Sequence, residues 1–294
     1  NDIPVRNAIS WNVLIDGYVQ HGHNAEAMIC CNEMQENGFL PDSITFSCIL
    51  KACGSLGLVG KGEEIHAEIN KQGLLKDNMM LGTSLVDMYA KFGMLGKAKE
   101  VLDKLPKRDV ISWTALISGY SQQGLGHEAL HFFQRMQDEG ISPDAITFTC
   151  ILEACGTIGS IDIGEEVHVE IQKQGLLQKD IVLSSSLVDM YAKFGFLKKA
   201  REVFYELPVR DVVSWTSLFA GYCERMSYAE LFTFFDKMKI EGILPDTNML
   251  SCLLKACCNL ESLEKGFDVH NEAIQRGFEK EAFLSIAIID MYAK

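Results

Sequence analysis

VISWTALISGY, at residues 110–120, has two near-copies in this chain of 294 residues: AISWNVLIDGY at 8–18 and VVSWTSLFAGY at 212–222. The three tryptophans, at positions 11, 113 and 215, are 102 residues apart in both intervals. A fixed period of this kind is typical of a repeat architecture. Inside the copies, the position directly after tryptophan varies among small polar residues, which are Asn12, Thr114 and Thr216.

Each copy begins a pair of amphipathic segments joined by a short turn. The segment SWTALISGYSQQ places Leu116, Ile117 and Tyr120 on one face of a helix, and HEALHFFQRMQDEG repeats its apolar residues at helical spacing. We expect these residues and Trp113 to pack between helices, with Thr114 on the open, solvent-facing side. Two other kinds of helix pair follow before the pattern returns.

A proline precedes aspartate at positions 41, 143 and 245, where one unit ends and the aspartate can cap the next helix. These marks divide the chain into helix pairs of 31 to 36 residues with a truncated last one. The predicted units span residues 8–42, 43–78, 79–109, 110–144, 145–180, 181–211, 212–246, 247–281 and 282–294.

Helix pairs of this length cannot bury their apolar faces alone, so they stack on their neighbours. The predicted fold is therefore all-α: a single right-handed α-solenoid of helix-turn-helix units over residues 1–294, its concave surface lined by the first helices. The ninth unit stops after one helix, which leaves Ile288, Ile289 and Tyr292 without a covering partner. Residues 1–7 resemble the end of an earlier unit. We expect the chain to be a piece of a longer protein.

Composition narrows the class of protein. Hydrophobic residues make up 48% and charged residues 23%, as in ordinary globular chains. No apolar run approaches the length of a membrane span, and the N-terminal residues resemble neither a signal nor a transit peptide. The net charge of −13 disfavours nonspecific adhesion to nucleic acid. It does not exclude a locally basic groove, and it predicts that any affinity for nucleic acid rests less on bulk charge than on individually placed contacts.

Six of the ten cysteines form a periodic set of pairs, five residues apart, inside an apolar helical pattern. Neither a C-x-x-C motif nor a secretory context accompanies them, so we interpret them as buried, reduced thiols in narrow helix contacts, which indicates a reducing compartment. The set comprises Cys48, Cys53, Cys150, Cys155, Cys252 and Cys257.

Two families of helical repeat have units of this size. The tetratricopeptide pattern W-x-x-L-G-x-x-Y is not met, because Ile117 and Ser118 follow Leu116 where glycine should stand. The chain instead resembles the pentatricopeptide repeats of plant organelles, in the subclass whose units alternate in P, L and S types. SWTALISGY with GISPD matches P, TFTCILEACGTIGSIDIGEEVH matches L, and SLVDMYAKFGFLKKAREVF with LPVRD matches S.

This resemblance implies sequence-specific binding of single-stranded RNA, one base per unit. In the family, the fifth and the last residue of a unit meet the Watson–Crick edge of a base, and an apolar second residue stacks on it. The base-reading pairs implied here are Asn12 with Asp42, Thr83 with Asp109, Thr114 with Asp144, Ser185 with Asp211, and Thr216 with Asp246. The implied stacking residues are Ile9, Met80, Ile111, Val182 and Val213.

Family preferences carried onto these pairs give uracil at the first unit and guanine at the third, fourth, sixth and seventh, the sixth more weakly. The predicted target is 5′-UNGGNGGN-3′. The L-type units carry Ser47, Thr149 and Ser251 at the fifth position, where the family follows no dependable rule, and Glu281 and Asn248 depart from the usual residues. The aspartates could also be helix caps alone, worth about 1 kcal/mol each, and the two roles can coexist. The small polar residues at the fifth positions could likewise be positions of tight packing, but such a site would more often accept alanine, and none of the five has it.

Two further motifs recur with the same period. Lys91, Lys193 and Lys294 end the DMYAK segments, where lysine approaches the RNA backbone in the family; solvated surface lysines are the alternative. H-x-E at His66, His168 and His270 is half of a zinc deaminase signature, but no proline is followed by cysteine to supply the other half. We interpret these histidines as packing residues and expect neither a metal, another cofactor nor a catalytic site.

Two functions of different classes follow. The first is the RNA-recognition module of a chloroplast or mitochondrial RNA processing or C-to-U editing factor, whose deaminase would lie further along the full chain or on a partner. The second is a protein-binding helical scaffold without direct RNA readout. The L-type units could in either case dock accessory editing proteins, as in similar proteins, and no membrane partner is expected.

Overall fold

The computed structural model describes residues 7–76 and 78–293, except the side chain of Glu279. A helix begins at the first residue of every predicted unit. These first helices are α1 (Ala8–Gln20), α3 (Ser43–Leu56), α5 (Met79–Lys91), α7 (Val110–Gln122), α9 (Ala145–Ile158), α11 (Ile181–Lys193), α13 (Val212–Glu224), α15 (Thr247–Asn259) and α17 (Ala282–Ala293).

A second helix completes each of the first eight units. These second helices are α2 (Asn24–Glu36), α4 (Val59–Gln72), α6 (Leu95–Lys104), α8 (Gly126–Asp138), α10 (Ile161–Lys173), α12 (Leu197–Glu206), α14 (Tyr228–Ile240) and α16 (Leu263–Gln275). A short 3-10 helix at Phe278–Lys280 precedes α17. None of the helices in the described ranges has the length and apolar character that crossing a membrane requires.

The chain divides into two compact modules, Asn1–Ala154 and Cys155–Lys294, with the boundary inside α9. In the N-terminal module, α1, α3, α5 and α7 pack side by side in chain order, and α2 and α6 also touch the first helix of the next unit. In the C-terminal module, α11, α13, α15 and α17 pack in the same way. The predicted all-α fold of stacked helix-turn-helix units is confirmed. Its handedness and its unbroken extent stay predictions.

The starts of the first helices are fixed by short polar side chains. Asn7, Asp42, Asp109 and Asp211 are N-caps whose side chains accept hydrogen bonds from the backbone of the first turn. In each case a serine or threonine three residues later accepts from the backbone N–H of the cap, which completes a capping box. The predicted capping role of these aspartates is therefore present in the structure.

The residues of the tryptophan motif form the contacts between helices. Trp11, Trp113 and Trp215 are fully buried, as are Leu116 and Ile117, while Tyr120 is half-buried. In the last helix, Ile288 is buried because α17 packs against α15, so the expectation that it lacks a cover is wrong; Ile289 and Tyr292 are exposed.

Five of the six periodic cysteines are buried, whereas Cys252 is half-buried. Cys252 lies beside Cys223, and a hydrogen bond between the two thiols lowers the pKa of Cys223 to about 7. Burial raises the pKa of Cys53 and of Cys155 to about 11. Both of these thiols are therefore protonated at neutral pH, which suits a packing role and disfavours reactivity.

Candidate nucleic-acid interface

The structure brings together the fifth and the last residue of the five units named in the sequence analysis. Their side chains meet where a first helix faces the N-terminus of the next first helix. Four pairs are in direct contact: Asn12 Nδ2 to Asp42 Oδ2 at 2.9 Å, Thr216 Oγ1 to Asp246 Oδ2 at 2.8 Å, Ser185 Oγ to Asp211 Oδ1 at 3.2 Å, and Thr83 Oγ1 to Asp109 Oδ1 at 3.5 Å.

The fourth unit joins its pair through a third side chain. Thr114 Oγ1 lies 2.6 Å from Thr147 Oγ1, and Thr147 Oγ1 donates to Asp144 Oδ1 at 2.7 Å. A hydroxyl has one proton, and that of Thr147 goes to the carboxylate, which only accepts. Thr114 must therefore donate to Thr147, so its own oxygen keeps only acceptor capacity.

The junction of the first unit also contains a threonine of the next unit, Thr45, in the place that Thr147 takes in the fourth. Thr45 Oγ1 donates to Asn12 Oδ1 at 2.6 Å and lies 3.1 Å from Asp42 Oδ1. Since the carboxylate of Asp42 only accepts, the amide nitrogen of Asn12 must face it, and the amide oxygen faces Thr45. Asn12 retains one N–H and one oxygen lone pair for an external partner.

The aspartates serve two roles with different oxygen atoms in two of the sites. Asp42 Oδ1 accepts from the backbone N–H groups of Ile44 and Thr45, while Oδ2 accepts from Asn12. Asp246 likewise caps α15 with Oδ1, through Met249 N at 2.8 Å, and contacts Thr216 with Oδ2. Capping and contact with the fifth residue thus coexist.

The charge state of Asp42 follows from this environment. Burial raises its pKa, but hydrogen bonds from the Thr45 backbone, from Asn12 and from the Ile44 backbone together lower it below the ordinary value. The group is therefore ionised at neutral pH and presents acceptors only.

The expectation that Thr114 faces solvent is wrong. Its side chain is buried, with 7% of its surface exposed, and Asn12, Thr83 and Ser185 are buried as well, while Thr216 is half-buried. The physical reason is that the following first helix packs close to these positions, and Thr147 covers Thr114 directly. A substitution at these sites therefore has to satisfy the hydrogen bonds inside the junction.

The second residues form exposed apolar points beside these pairs. Ile9 is 72% exposed, and the other four predicted stacking residues, Met80, Ile111, Val182 and Val213, are exposed too. Ile44 and Ile146, the second residues of the second and fifth units, are exposed in the same manner and were not singled out from the sequence. Asn248 is exposed and polar, so the eighth unit lacks an apolar side chain there.

The lysines predicted to contact phosphate carry partners already. Lys91 Nζ lies 2.8 Å from Asp87 Oδ2 and Lys193 Nζ lies 2.6 Å from Asp189 Oδ2, each pair one helical turn apart. The aspartates offset much of the local positive charge. Lys294 lies outside the described residues.

The fifth residues of the second, fifth and eighth units are bonded differently from the others. Ser47 Oγ lies 2.6 Å from Ser84 Oγ, and Thr149 Oγ1 donates to the carbonyl of Ala145 in its own helix. Ser251 Oγ is buried and has no hydrogen-bond partner among the described residues. In these units the fifth residue has no described hydrogen bond to the last.

The histidines of the H-x-E repeats pair with tyrosine. Nδ1 of His66 lies 2.8 Å from the hydroxyl of Tyr89, and Nδ1 of His168 lies 2.9 Å from that of Tyr191. His270 makes the same contact with Tyr292. Over residues 7–76 and 78–293, no group of histidine, cysteine and acidic side chains is arranged to hold a metal ion.

Sequence reasoning missed Thr45 and Thr147, the third residues of the second and fifth units. A signal was present, because both stand in the repeated triplet Ile-Thr-Phe at 44–46 and 146–148, whereas the third copy has Asn-Met-Leu at 248–250. Both threonines are fully buried.

Comparison with known proteins shows which family this chain resembles. The PPR repeat family matches residues 6–55, 108–157 and 210–259, and the PPR repeat matches 44–74, 83–110, 182–212 and 249–278. A chloroplastic pentatricopeptide repeat-containing protein of Arabidopsis thaliana is 34% identical over 289 residues, covering 98% of this chain and 46% of the relative. A putative mitochondrial one from the same plant is 35% identical over 270 residues, covering 92% of this chain and 43% of the relative.

The fold has solved counterparts. The crystal structure of the pentatricopeptide repeat protein PPR10 in complex with an 18-nt psaJ RNA element superposes with a TM-score of 0.79 at 21% identity, covering 98% of this chain and 43% of that one. The chain spans less than half the length of these proteins. With family matches over most of the chain, it belongs to the pentatricopeptide repeat family.

Proposed function

We propose that this chain is the RNA-recognition part of an organellar RNA processing or C-to-U editing factor of the P, L, S type. It binds single-stranded RNA, one base per unit, with the target 5′-UNGGNGGN-3′. The observation that carries the proposal is the five-fold recurrence of one junction, in which a fifth residue is joined to a last-residue aspartate, directly in four units and through Thr147 in one, beside an exposed apolar side chain.

The free hydrogen-bonding atoms of the first unit suit uracil. Asn12 has one N–H and one oxygen lone pair left after its contacts with Asp42 and Thr45. The Watson–Crick edge of uracil offers the N3–H donor beside a carbonyl acceptor, so the amide oxygen accepts from N3–H and the amide N–H donates to the carbonyl.

The threonine and serine sites suit guanine for a different reason. In each of them the hydroxyl proton is donated inside the protein: to the aspartate from Thr83 and Ser185, to Thr147 from Thr114, and to Asp246 or the Val212 carbonyl, both at 2.8 Å, from Thr216. The hydroxyl oxygen and the carboxylate are then two acceptors side by side. Guanine presents two adjacent donors, N1–H and N2–H, whereas adenine and cytosine each place an acceptor next to one donor.

The relatives support the organelle and the ligand class. Two proteins of Arabidopsis thaliana similar to this chain are named as chloroplastic and mitochondrial, and PPR10 was solved with a psaJ RNA element. The order of P, L and S units along the sequence supports the editing type, in which catalysis would belong to another part of the full protein or to a partner.

A binding assay tests the function. We expect the chain to bind an oligoribonucleotide carrying 5′-UAGGAGGA-3′ between adenine flanks at least about tenfold more tightly than one with all four guanines changed to cytosine, since a single good base contact discriminates by about 1–3 kcal/mol. The affinity for RNA should depend only weakly on salt concentration, because Lys91 and Lys193, which were predicted to contact phosphate, are already paired with aspartates. Equal affinity for both RNAs would contradict the base assignments, and absence of binding would favour the protein scaffold.

A substitution tests a single unit. Thr114→Asn recreates in the fourth unit the set of side chains found in the first, because Thr147 stands where Thr45 stands and Asp144 where Asp42 stands. The preference at the fourth base should move from guanine towards uracil by about tenfold. The preference at the sixth base, which Ser185 and Asp211 contact in this proposal, is the internal control and should not change.

A further inference from the structure

The third residue of the next unit belongs to the base-reading site in two of the five junctions. Thr45 and Thr147 are fully buried, yet each joins the fifth residue of the preceding unit to the aspartate of that unit. The corresponding residues Ser112 and Ser214 bond only to the backbone and carboxylate of their caps. Met249 has no hydroxyl.

The consequence is clearest for asparagine. A side-chain amide can pair with uracil, its oxygen accepting from N3–H, or, turned over, with cytosine, its N–H donating to N3. The orientation therefore decides between the two pyrimidines. Asp42 holds the amide nitrogen from one side, and the Thr45 hydroxyl, at 2.6 Å, holds the amide oxygen from the other.

For threonine, the direction in which the hydroxyl proton points decides which bases the site accepts. The Thr114 hydroxyl donates a hydrogen bond to Thr147, and the Thr147 hydroxyl donates its own to Asp144. If that proton were free to point outwards, Thr114 could donate to N1 of adenine as well as accept from guanine. Thr147 thus keeps the fourth site as a pair of acceptors.

We propose that Thr45 and Thr147 are positioning residues that, together with the aspartate, set base specificity in the preceding unit, Thr45 for uracil over cytosine and Thr147 for guanine over adenine. This inference rests on the proposed RNA-binding function. It makes the identity of a reading site depend on three side chains, the third of which is supplied by the following unit.

The test compares, for each protein separately, the affinities for two RNAs that differ in one base. For the wild type, Kd is measured for RNAs that differ only in uracil or cytosine at the first base, and then for Thr45→Val and Thr45→Ser. We expect a preference for uracil of about tenfold in the wild type, a loss of at least about threefold of that preference in Thr45→Val, and its retention in Thr45→Ser. Partial unfolding lowers both affinities together, so it leaves the ratio intact.

Ser112→Ala is the matched control. It removes a hydroxyl from the same helix position and the same kind of capping box, but the described hydrogen bonds of that hydroxyl go to the backbone of Asp109 and not to Thr83. It should lower stability about as much as Thr45→Val while the preference at the third base stays unchanged. Thr147→Val should weaken guanine over adenine at the fourth base.

The outcomes separate the two proposals. A wild type that binds both first-base RNAs equally overturns the reading of that base, and the positioning role with it. A wild type that prefers uracil, with Thr45→Val showing the same ratio, overturns the positioning role alone. An equal loss of base preference in Ser112→Ala at its own site would show that helix capping, and not the bridge, controls the ratio.

Discussion

The fourth and seventh units carry the same fifth and last residues, threonine and aspartate, but connect them differently. In the fourth, Thr147 bridges Thr114 to its aspartate, whereas in the seventh Thr216 contacts Asp246 directly at 2.8 Å. The cause is one residue of the next unit, Thr147 in one copy and Met249 in the other. Equal residues at two positions therefore do not make equal sites, because the neighbouring helix completes each of them.

The frame around these sites is held in common, and breaking it gives the largest expected effect. Gly119 and Gly221 occupy the same place in the copies, each against the preceding unit. A Cβ on Gly119 would lie 2.8 Å from Leu95 Cδ2 and 3.0 Å from Ala90 Cβ, and one on Gly221 would lie 2.7 Å from Ala192 Cβ. Gly119→Ala and Gly221→Ala should each destabilise by about 1–3 kcal/mol through overpacking, measured as a lower urea midpoint.

The first copy supplies the control for this prediction. A Cβ on Gly17 would have nothing within 4 Å. Gly17→Ala should therefore raise the urea midpoint, since alanine is favoured over glycine inside a helix by about 1 kcal/mol. Destabilisation by all three substitutions would mean that the close approach of the helices is not what requires glycine.

Much of this frame could be predicted from the sequence, while the connections inside the sites could not. The tryptophan period and the apolar faces gave the helix starts, because a helix that buries one face must repeat its apolar residues every three or four positions. The burial of Thr114 and the bridge through Thr147 depend on how closely two helices from different units approach. The presence of a polar residue on a helix does not reveal how closely another helix approaches it, so the sequence alone predicted that Thr114 faces solvent.

A smaller effect is expected where the third copy departs from the other two at a turn. Gly22 and Gly124 join the first and second helices of their units with φ of 76° and 72°, and Met226 takes their place with φ of 57°. A side chain in this left-handed region costs about 1 kcal/mol. Met226→Gly should therefore raise the free energy of unfolding by up to about 1 kcal/mol, offset in part by the entropy of glycine in the unfolded chain, and the gain is measured as a higher urea midpoint.

Met226→Ala is the control at that turn, because it shortens the side chain but keeps the Cβ. It should not raise the midpoint, since the strain comes from the Cβ against the backbone. A similar gain in both variants would instead assign the effect to the exposed methionine side chain.

The smallest effect concerns charge at a pair of copies that are otherwise alike. Burial lowers the pKa of His66 and of His168 from the ordinary value of 6.5, so their neutral forms stabilise the fold above that pH, and the contribution is lost as the pH falls through the folded pKa. Lys104 lowers the pKa of His66 further, whereas Glu206, in the equivalent place, raises that of His168. Lys104→Glu should move the NMR titration of the His66 ring to higher pH, and added salt should reduce the change. Lys51→Glu is the control, because Lys51 does not contribute to the pKa shift of His66, and it should leave the titration in place. An unmoved His66 in Lys104→Glu would show that the charge of Lys104 does not distinguish His66 from His168.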